Sequence, residues 1–185
     1  MGVTYEKNTD ANGHPHPENS LANKLITEYM KKVDGVSVRT LADCLKNGEF
    51  DVAAEQKALT EAEVIVLQFP FYWFSTTSII QKWFEDVLLY GFAYGTGGDK
   101  LKGKTLLISM TAGGSKHEYV TPEHDHMEVL LQPVRALCEF TQMEVSEDII
   151  SYGMTYIPGV SGDKDEVEKQ ALAHAIELKE RLELM

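Results

Sequence analysis

Apolar and polar positions divide the chain into alternating short runs and longer amphipathic stretches. Glu63 to Phe69 and Lys104 to Met110 are apolar nearly throughout, as strands are when helices cover both faces of a parallel sheet. Pro70 follows the first run and ends its hydrogen-bond ladder. Helical spacing appears in Leu21, Leu25, Ile26, Tyr29, Met30 and Val33, predicting a helix over about 21–32 with Ser20 as its N-cap and Asp34-Gly35 as its stop. Val36 to Leu41 alternates as a half-exposed strand, and Val52 to Thr60 reads as a short helix. A helix capped by Ser75, Thr76 or Thr77 carries Ile79, Ile80, Trp83, Phe84, Val87 and Leu88 on one face. Met127 to Phe140 is helical with Pro133 inside it, which predicts a kink or an early break. Met143 to Tyr152 holds a weaker fifth strand, and Asp163 to Leu184 forms a long charged closing helix.

Strands that alternate with helices imply a right-handed, doubly wound parallel sheet. The expected fold class is α/β, a three-layer sandwich around a five-stranded parallel sheet, with residues 1–185 forming one domain. The first strand is the weak point. Such a strand is central and should be apolar, yet Gly2 to Ala11 offers only Val3 and Tyr5 as strand material. Burying Glu6, Lys7 or Asp10 without a partner is costly, so this segment is expected either as a short, irregular strand or outside the sheet.

Composition narrows the partners. The formal net charge of -12 repels nucleic acid and anionic membrane surfaces. The 2 cysteines, Cys44 and Cys138, are far apart and fit neither a disulfide framework nor a metal site, which suits a reducing compartment. No leader-like segment and no run of about 18 apolar residues is present, so a soluble, cytoplasmic protein is expected.

Four segments carry candidate chemistry. Asn12 to Ser20 leads into a helix, whose N-terminal N–H groups and partial positive charge suit a phosphate. Ser20, Asn23 and His14 could contact that anion; an ordinary capped loop explains them equally well. His14 and His16 lack the further ligands a zinc site requires, and no metal is expected. Phe71-Tyr72-Trp73-Phe74 follows Pro70, and four successive aromatics cannot all face inward, so some must be exposed or must cover a ligand or a partner subunit. Thr111-Ala112-Gly113-Gly114 ends a strand with a backbone that a ligand can approach closely. Both strand ends should line one crevice, where open parallel sheets bind ligands. Neither G-x-G-x-x-G nor a P-loop occurs there. Tyr119 and His124 could stabilise charge on, or protonate, a substrate oxygen; by spacing alone a polar surface loop is the better reading.

At these residues the chain resembles the flavodoxin-like NAD(P)H:quinone oxidoreductases, a family that takes in DT-diaphorase, modulator of drug activity B and the ancillary flavoprotein of glutathione-gated potassium efflux systems. The resemblance rests on His14-Pro15 with Ser20 and Asn23, Phe69 to Phe74, Lys82-Trp83-Phe84, Tyr90-Gly91-Phe92-Ala93-Tyr94-Gly95 and Thr111 to Gly114, and spans about residues 12–185. It implies that His14, Ser20, Ala22 and Asn23 hold a flavin phosphate and ribityl chain. Pro70, Phe71, Tyr72, Trp73 and Phe74 would line the ring, and Thr111, Ala112, Gly113 and Gly114 would meet it from the other strand. Tyr119 and His124 fall near the family's active-site tyrosine and histidine. Their spacing is one residue off, so His126 competes with His124. Ala112 replaces a second threonine.

The resemblance further implies a flavodoxin-like fold, a homodimer and ping-pong hydride transfer from NAD(P)H to a quinone or related electrophile. The short chain favours FMN over FAD. A flavin-binding subunit that docks on a potassium efflux transporter is the alternative.

Overall fold

The computed structural model describes residues 8–120 and 126–185. Six strands form one parallel sheet. In chain order its first four members are β1 (Asn8–Asn12), β2 (Val36–Thr40), β5 (Val64–Pro70) and β6 (Thr105–Thr111). The last two are β7 (Glu144–Val145) and β8 (Ile149–Ser151). The order across the sheet is β2-β1-β5-β6-β7, with β8 also pairing β6. Since β7 and β8 pair with successive parts of β6, they are two pieces of one edge strand, the expected weak fifth. Between β2 and β5 lie α2 (Leu41–Cys44), a small hairpin of β3 (Leu45–Lys46) and β4 (Glu49–Phe50), and α3 (Val52–Glu61). The hairpin turns on Asn47-Gly48, both at positive φ, with the residue pair this turn favours.

Helices cover both faces. On one, α1 (Leu21–Met30) and α7 (Lys164–Glu183) pack through Ile26, Met30, Ala171, Ala175 and Leu178 against Val64, Val66 and Leu107. On the other, α3, α4 (Ser78–Val87) and α6 (His126–Phe140) bury Leu59, Ile80, Trp83, Leu131 and Val134 against Ile65, Leu67, Phe69 and Ile108. Alternation along β5 sends successive side chains to opposite faces. Helix α6 runs unbroken through Pro133. Val129 and Pro133 both lie on its exposed side, where water can take the place of the missing N–H donor.

The first strand departs most from expectation. Asn8–Asn12 sits inside the sheet in regular parallel register with both β2 and β5, so its irregularity is one of chemistry and not of position. Among these residues only Ala11 joins a hydrophobic core. Asp10 is 0% exposed, and among the described residues its carboxylate has no hydrogen-bond partner. What holds the strand is backbone pairing on both sides and the side chain of Asn12. That amide donates to Thr27 Oγ1 on α1, while its carbonyl accepts the His14 N–H at 3.0 Å. Gln68 on the neighbouring strand also donates to Thr27 Oγ1, at 3.3 Å.

A second buried polar group lies farther along the same face. His174 of α7 bonds Ser109 Oγ through Nε2 and Ser151 Oγ through Nδ1, both at 2.8 Å. Burial pushes the Asp10 carboxyl up from 3.8 to about 7 and the His174 imidazole down from 6.5 to about 4. The two act on stability with opposite sign. Folded Asp10 holds its proton more tightly than the unfolded chain does, so its contribution falls as pH rises from about 4 to 7. Folded His174 holds its proton less tightly, so its contribution rises from about pH 4 to 6.5. Each spans about 3–4 kcal/mol at 1.36 kcal/mol per unit, and they nearly cancel. Denaturant titrations between pH 4 and 6.5 should therefore show Asp10→Asn gaining stability with pH relative to the parent, and His174→Gln losing it. Parallel curves for all three proteins would contradict this assignment.

Candidate functional site

A cleft of about 290 Å³ opens where β1, β5 and β6 end. Three of its walls are residues 13–20 before α1, Pro70 to Tyr72 at the end of β5, and Thr111 with Gly113 at the end of β6. Each loop is fixed locally. Gly13 N–H donates to Gln68 O at 2.8 Å, and Thr77 Oγ1 donates to Gly13 O at 2.6 Å. Thr77 thus precedes α4 without capping it through its side chain; its hydroxyl holds the first loop. A Cβ on Gly13 would come within 2.2 Å of Ile80, so only glycine allows this close approach.

Ser20 caps α1 as the sequence predicts. Its Oγ accepts the Asn23 N–H at 3.2 Å and the Asn23 side-chain amide at 3.3 Å. The N–H groups of Leu21 and Ala22 lie in the first turn and have no intrahelical acceptor, leaving a positive end directed at the cleft. Asn23 also donates to Thr111 Oγ1 at 3.1 Å, joining the first loop to the third, and its own buried Oδ1 has no partner among the described residues. His14 is buried; its Nδ1 accepts the His16 N–H at 3.0 Å and its Nε2 lies 3.1 Å from Tyr72 Oη. Burial is the main cause that holds the His14 imidazole below its ordinary range, and His16 adds to it.

The sequence-based site residues separate into groups. His14, Ser20, Ala22, Asn23, Pro70, Phe71, Tyr72, Thr111 and Gly113 line the cleft together. Ala112 does not: its side chain is in the core, and its N–H and carbonyl are bonded to Ser151 O and Met154 N. Gly114 sits beside the cleft against Tyr119, whose Oη would be 2.9 Å from an added Cβ. Tyr119 packs edge-on to Phe71 and Phe74 and lies tilted against Tyr152. It lines a neighbouring cavity of about 230 Å³ with Phe74, His126, Val129 and Leu130. His124 lies outside the described residues. Trp73 is 94% exposed and lines neither space.

A fourth wall, Met154 to Ile157, has no counterpart in the sequence-based expectations. The signal that could have found it is Gly153, Pro158-Gly159 and Gly162, a loop signature between the last strand and the closing helix. Thr155 Oγ1 donates to Gly113 O at 3.1 Å. A Cβ on Gly113 would lie 2.5 Å from that hydroxyl, and one on Gly162 only 1.9 Å from Thr155 O. The glycines let this wall close on the strand-end loop.

Strain concentrates in the second loop. Trp73 and Phe74 have φ of 51° and 61°, and Tyr72 and Ser75 bridge across them, with Ser75 N–H donating to Tyr72 O at 3.1 Å. This is the turn that Asn47-Gly48 makes elsewhere in the chain, here built from two aromatics. Each left-handed non-glycine residue costs about 1 kcal/mol or more, and such strain persists mainly at functional sites. Replacing Trp73-Phe74 by Asn-Gly loses the edge contacts of Phe74, worth about 1 kcal/mol, and relieves both strained positions. The exchange should raise the unfolding free energy of the ligand-free protein by about 1 kcal/mol, measured by denaturant titration. A clear loss of stability would show that the aromatic contacts outweigh the strain.

Residues 11–178 match the flavodoxin-like fold family. Over 123 residues the chain is 40% identical to the glutathione-regulated potassium-efflux system ancillary protein KefF of Enterobacter sp. (strain 638), covering 66% of this chain and 70% of that protein. The crystal structure of general stress protein 14 from Treponema denticola, in complex with FMN, superposes with a TM-score of 0.82 at 24% identity, covering 95% of this chain and 99% of that one. A protein described as a thermophilic tryptophan halogenase from Streptomycin violaceusniger superposes with a TM-score of 0.78 at 31% identity, covering 90% and 95%. These relatives share an architecture and differ in the activities their names state, so the reaction must be argued from the site. By its sequence and by its sheet, the chain belongs to the flavodoxin-like fold family.

Proposed function

We propose that this protein is an FMN-dependent NAD(P)H oxidoreductase that reduces a quinone or a related electrophile by two electrons. The observation that carries the reading is the cleft itself, which has an anion-binding helix N-terminus at one end and an aromatic and glycine-edged slot at the other. The residues present fit the cofactor. A phosphate suits Ser20 and the N–H groups of Leu21 and Ala22, while His14, with both ring nitrogens engaged, backs Tyr72. The unpartnered Asn23 Oδ1 offers an acceptor to a ribityl hydroxyl. Phe71, Thr111 and Gly113 border the space left for a flat ring.

When bound, FMN supplies the hydride chemistry, accepting two electrons from NAD(P)H and passing them to the second substrate. The chain's own residues bind, orient and exclude water. Tyr119, packed on Phe71 and Phe74, holds a phenol in the neighbouring cavity, next to the Phe71 wall of the cleft. In this reading it donates a hydrogen bond to the acceptor oxygen as charge develops there. His124, with His126 as its competitor, is the proton source in this reading. Exposed Trp73, Phe74 and Val129 form an apolar surface beside that cavity, which suits a second copy of the chain in a homodimer.

The relation to KefF favours a second reading, in which the flavin-loaded protein acts mainly by docking on a potassium efflux transporter. Among the described residues no helix is long and apolar enough to cross a membrane; in either role we place the protein in the cytoplasm.

Purified protein incubated with FMN and desalted should retain a flavin spectrum that bleaches with NADH or NADPH and recovers with a quinone. Tyr119→Phe should keep the flavin and lower kcat/KM for the quinone about tenfold or more. Retained flavin without quinone turnover would favour the regulatory reading, and no retained flavin would refute both.

A further inference from the structure

Hydrogen bonding in the cleft determines which way its hydroxyl protons point. The His16 N–H donates to His14 Nδ1 at 3.0 Å, and a ring nitrogen that accepts carries no proton. The neutral imidazole is therefore the Nε2–H tautomer, fixed by the backbone. Nε2 lies 3.1 Å from Tyr72 Oη, so His14 donates and the tyrosine oxygen accepts. The phenol proton must then be directed elsewhere, and Tyr72 lines the cleft alongside Ser20. Ser20 is in the same position. Its oxygen accepts two bonds from Asn23, leaving its own proton to donate outward.

Among the described residues no lysine or arginine lines the cleft. Preference for an anionic ligand over a neutral one must then come from oriented donors and the helix end, not from a formal charge. A tyrosine chosen only for its ring would not need its oxygen engaged by a buried histidine.

We propose that Tyr72 is a specificity-determining donor: the chain from His16 N–H through His14 turns its hydroxyl toward a phosphoester oxygen at the start of α1, so that with Ser20 it selects a phosphorylated flavin over an unphosphorylated one. This rests on the flavin reading and assigns Tyr72 a role at the phosphate, where the family resemblance implies only ring lining.

The test titrates FMN and riboflavin into the parent, Tyr72→Phe, His14→Ala and the double variant, following quenching of flavin fluorescence. Tyr72→Phe keeps the ring and should weaken FMN binding about tenfold, as one hydrogen bond to a charged group would, with riboflavin affected less than about twofold. His14→Ala should weaken FMN as well, and adding Tyr72→Phe to it should cost little more, because the two act in series. The parent's imidazole ¹⁵N spectrum without flavin should show His14 protonated at Nε2 and bare at Nδ1 at neutral pH. Equal losses for FMN and riboflavin, additive effects of the two substitutions, or a proton on Nδ1 would overturn the proposal. FMN bound equally by the parent and Tyr72→Phe would overturn this role alone. Failure of the parent to bind either flavin would overturn the flavin reading together with it.

Discussion

Asn12 is the joint on which the site depends. The central strand has almost no apolar side chains of its own, so hydrophobic burial cannot place its end. Asn12 does so with two bonds in opposite directions, its amide to Thr27 on α1 and its carbonyl to the His14 N–H. The second bond makes a side-chain turn, in which asparagine takes the part of a backbone carbonyl and redirects the chain. The first reaches α1. The Asn12 amide thus adds a polar tie to the apolar packing of α1 on the sheet, reinforced by Gln68 on the next strand.

Polar burial continues across the same face. Asp10, Asn12, Gln68, Ser109, Thr111 and Ser151 all lie under α1 and α7, with Asn23, Thr27 and His174 answering from the helices. Satisfied networks of this kind specify a unique arrangement, and their unsatisfied members are costly. Asp10 is the expensive member, and nothing among the described residues compensates it locally. The opposite face has its own answer to the same difficulty: buried Glu55 is held by Arg39 and by Trp83 Nε1 at 3.0 Å.

Periodicity made most of the sheet legible. Ser20 is a recognisable cap because its side chain answers a need that every helix start has, and it accepts a first-turn N–H here, as Asp163 does at the closing helix. The strand at Asn8–Asn12 was ambiguous for the reason just given, since reading strands by apolarity has no access to backbone pairing or to Asn12. Asn47-Gly48 signals a hairpin, but strands of two residues carry no readable pattern on either side. At the site, the cap, the aromatic loop and the strand-end glycine were each readable as local chemistry. Their convergence on one cleft followed from sheet order. Ala112 lies off the cleft because one-residue alternation turns its side chain into the core. The wall from Met154 to Ile157 was invisible because only its contact with Gly113 gives it meaning. Strain at Trp73 and Phe74 is of a similar kind, legible only once φ is known.

A crystal structure of the protein grown with FMN is the most direct measurement of the central claim, that a helix end and two strand-end loops form one flavin site. The phosphate should lie within hydrogen-bond reach of Ser20 Oγ and the Ala22 N–H, with the ring between Phe71 and Gly113. Phosphate bound away from the start of α1, or a ring seated in the cavity beside His126 with the cleft left to solvent, would contradict it.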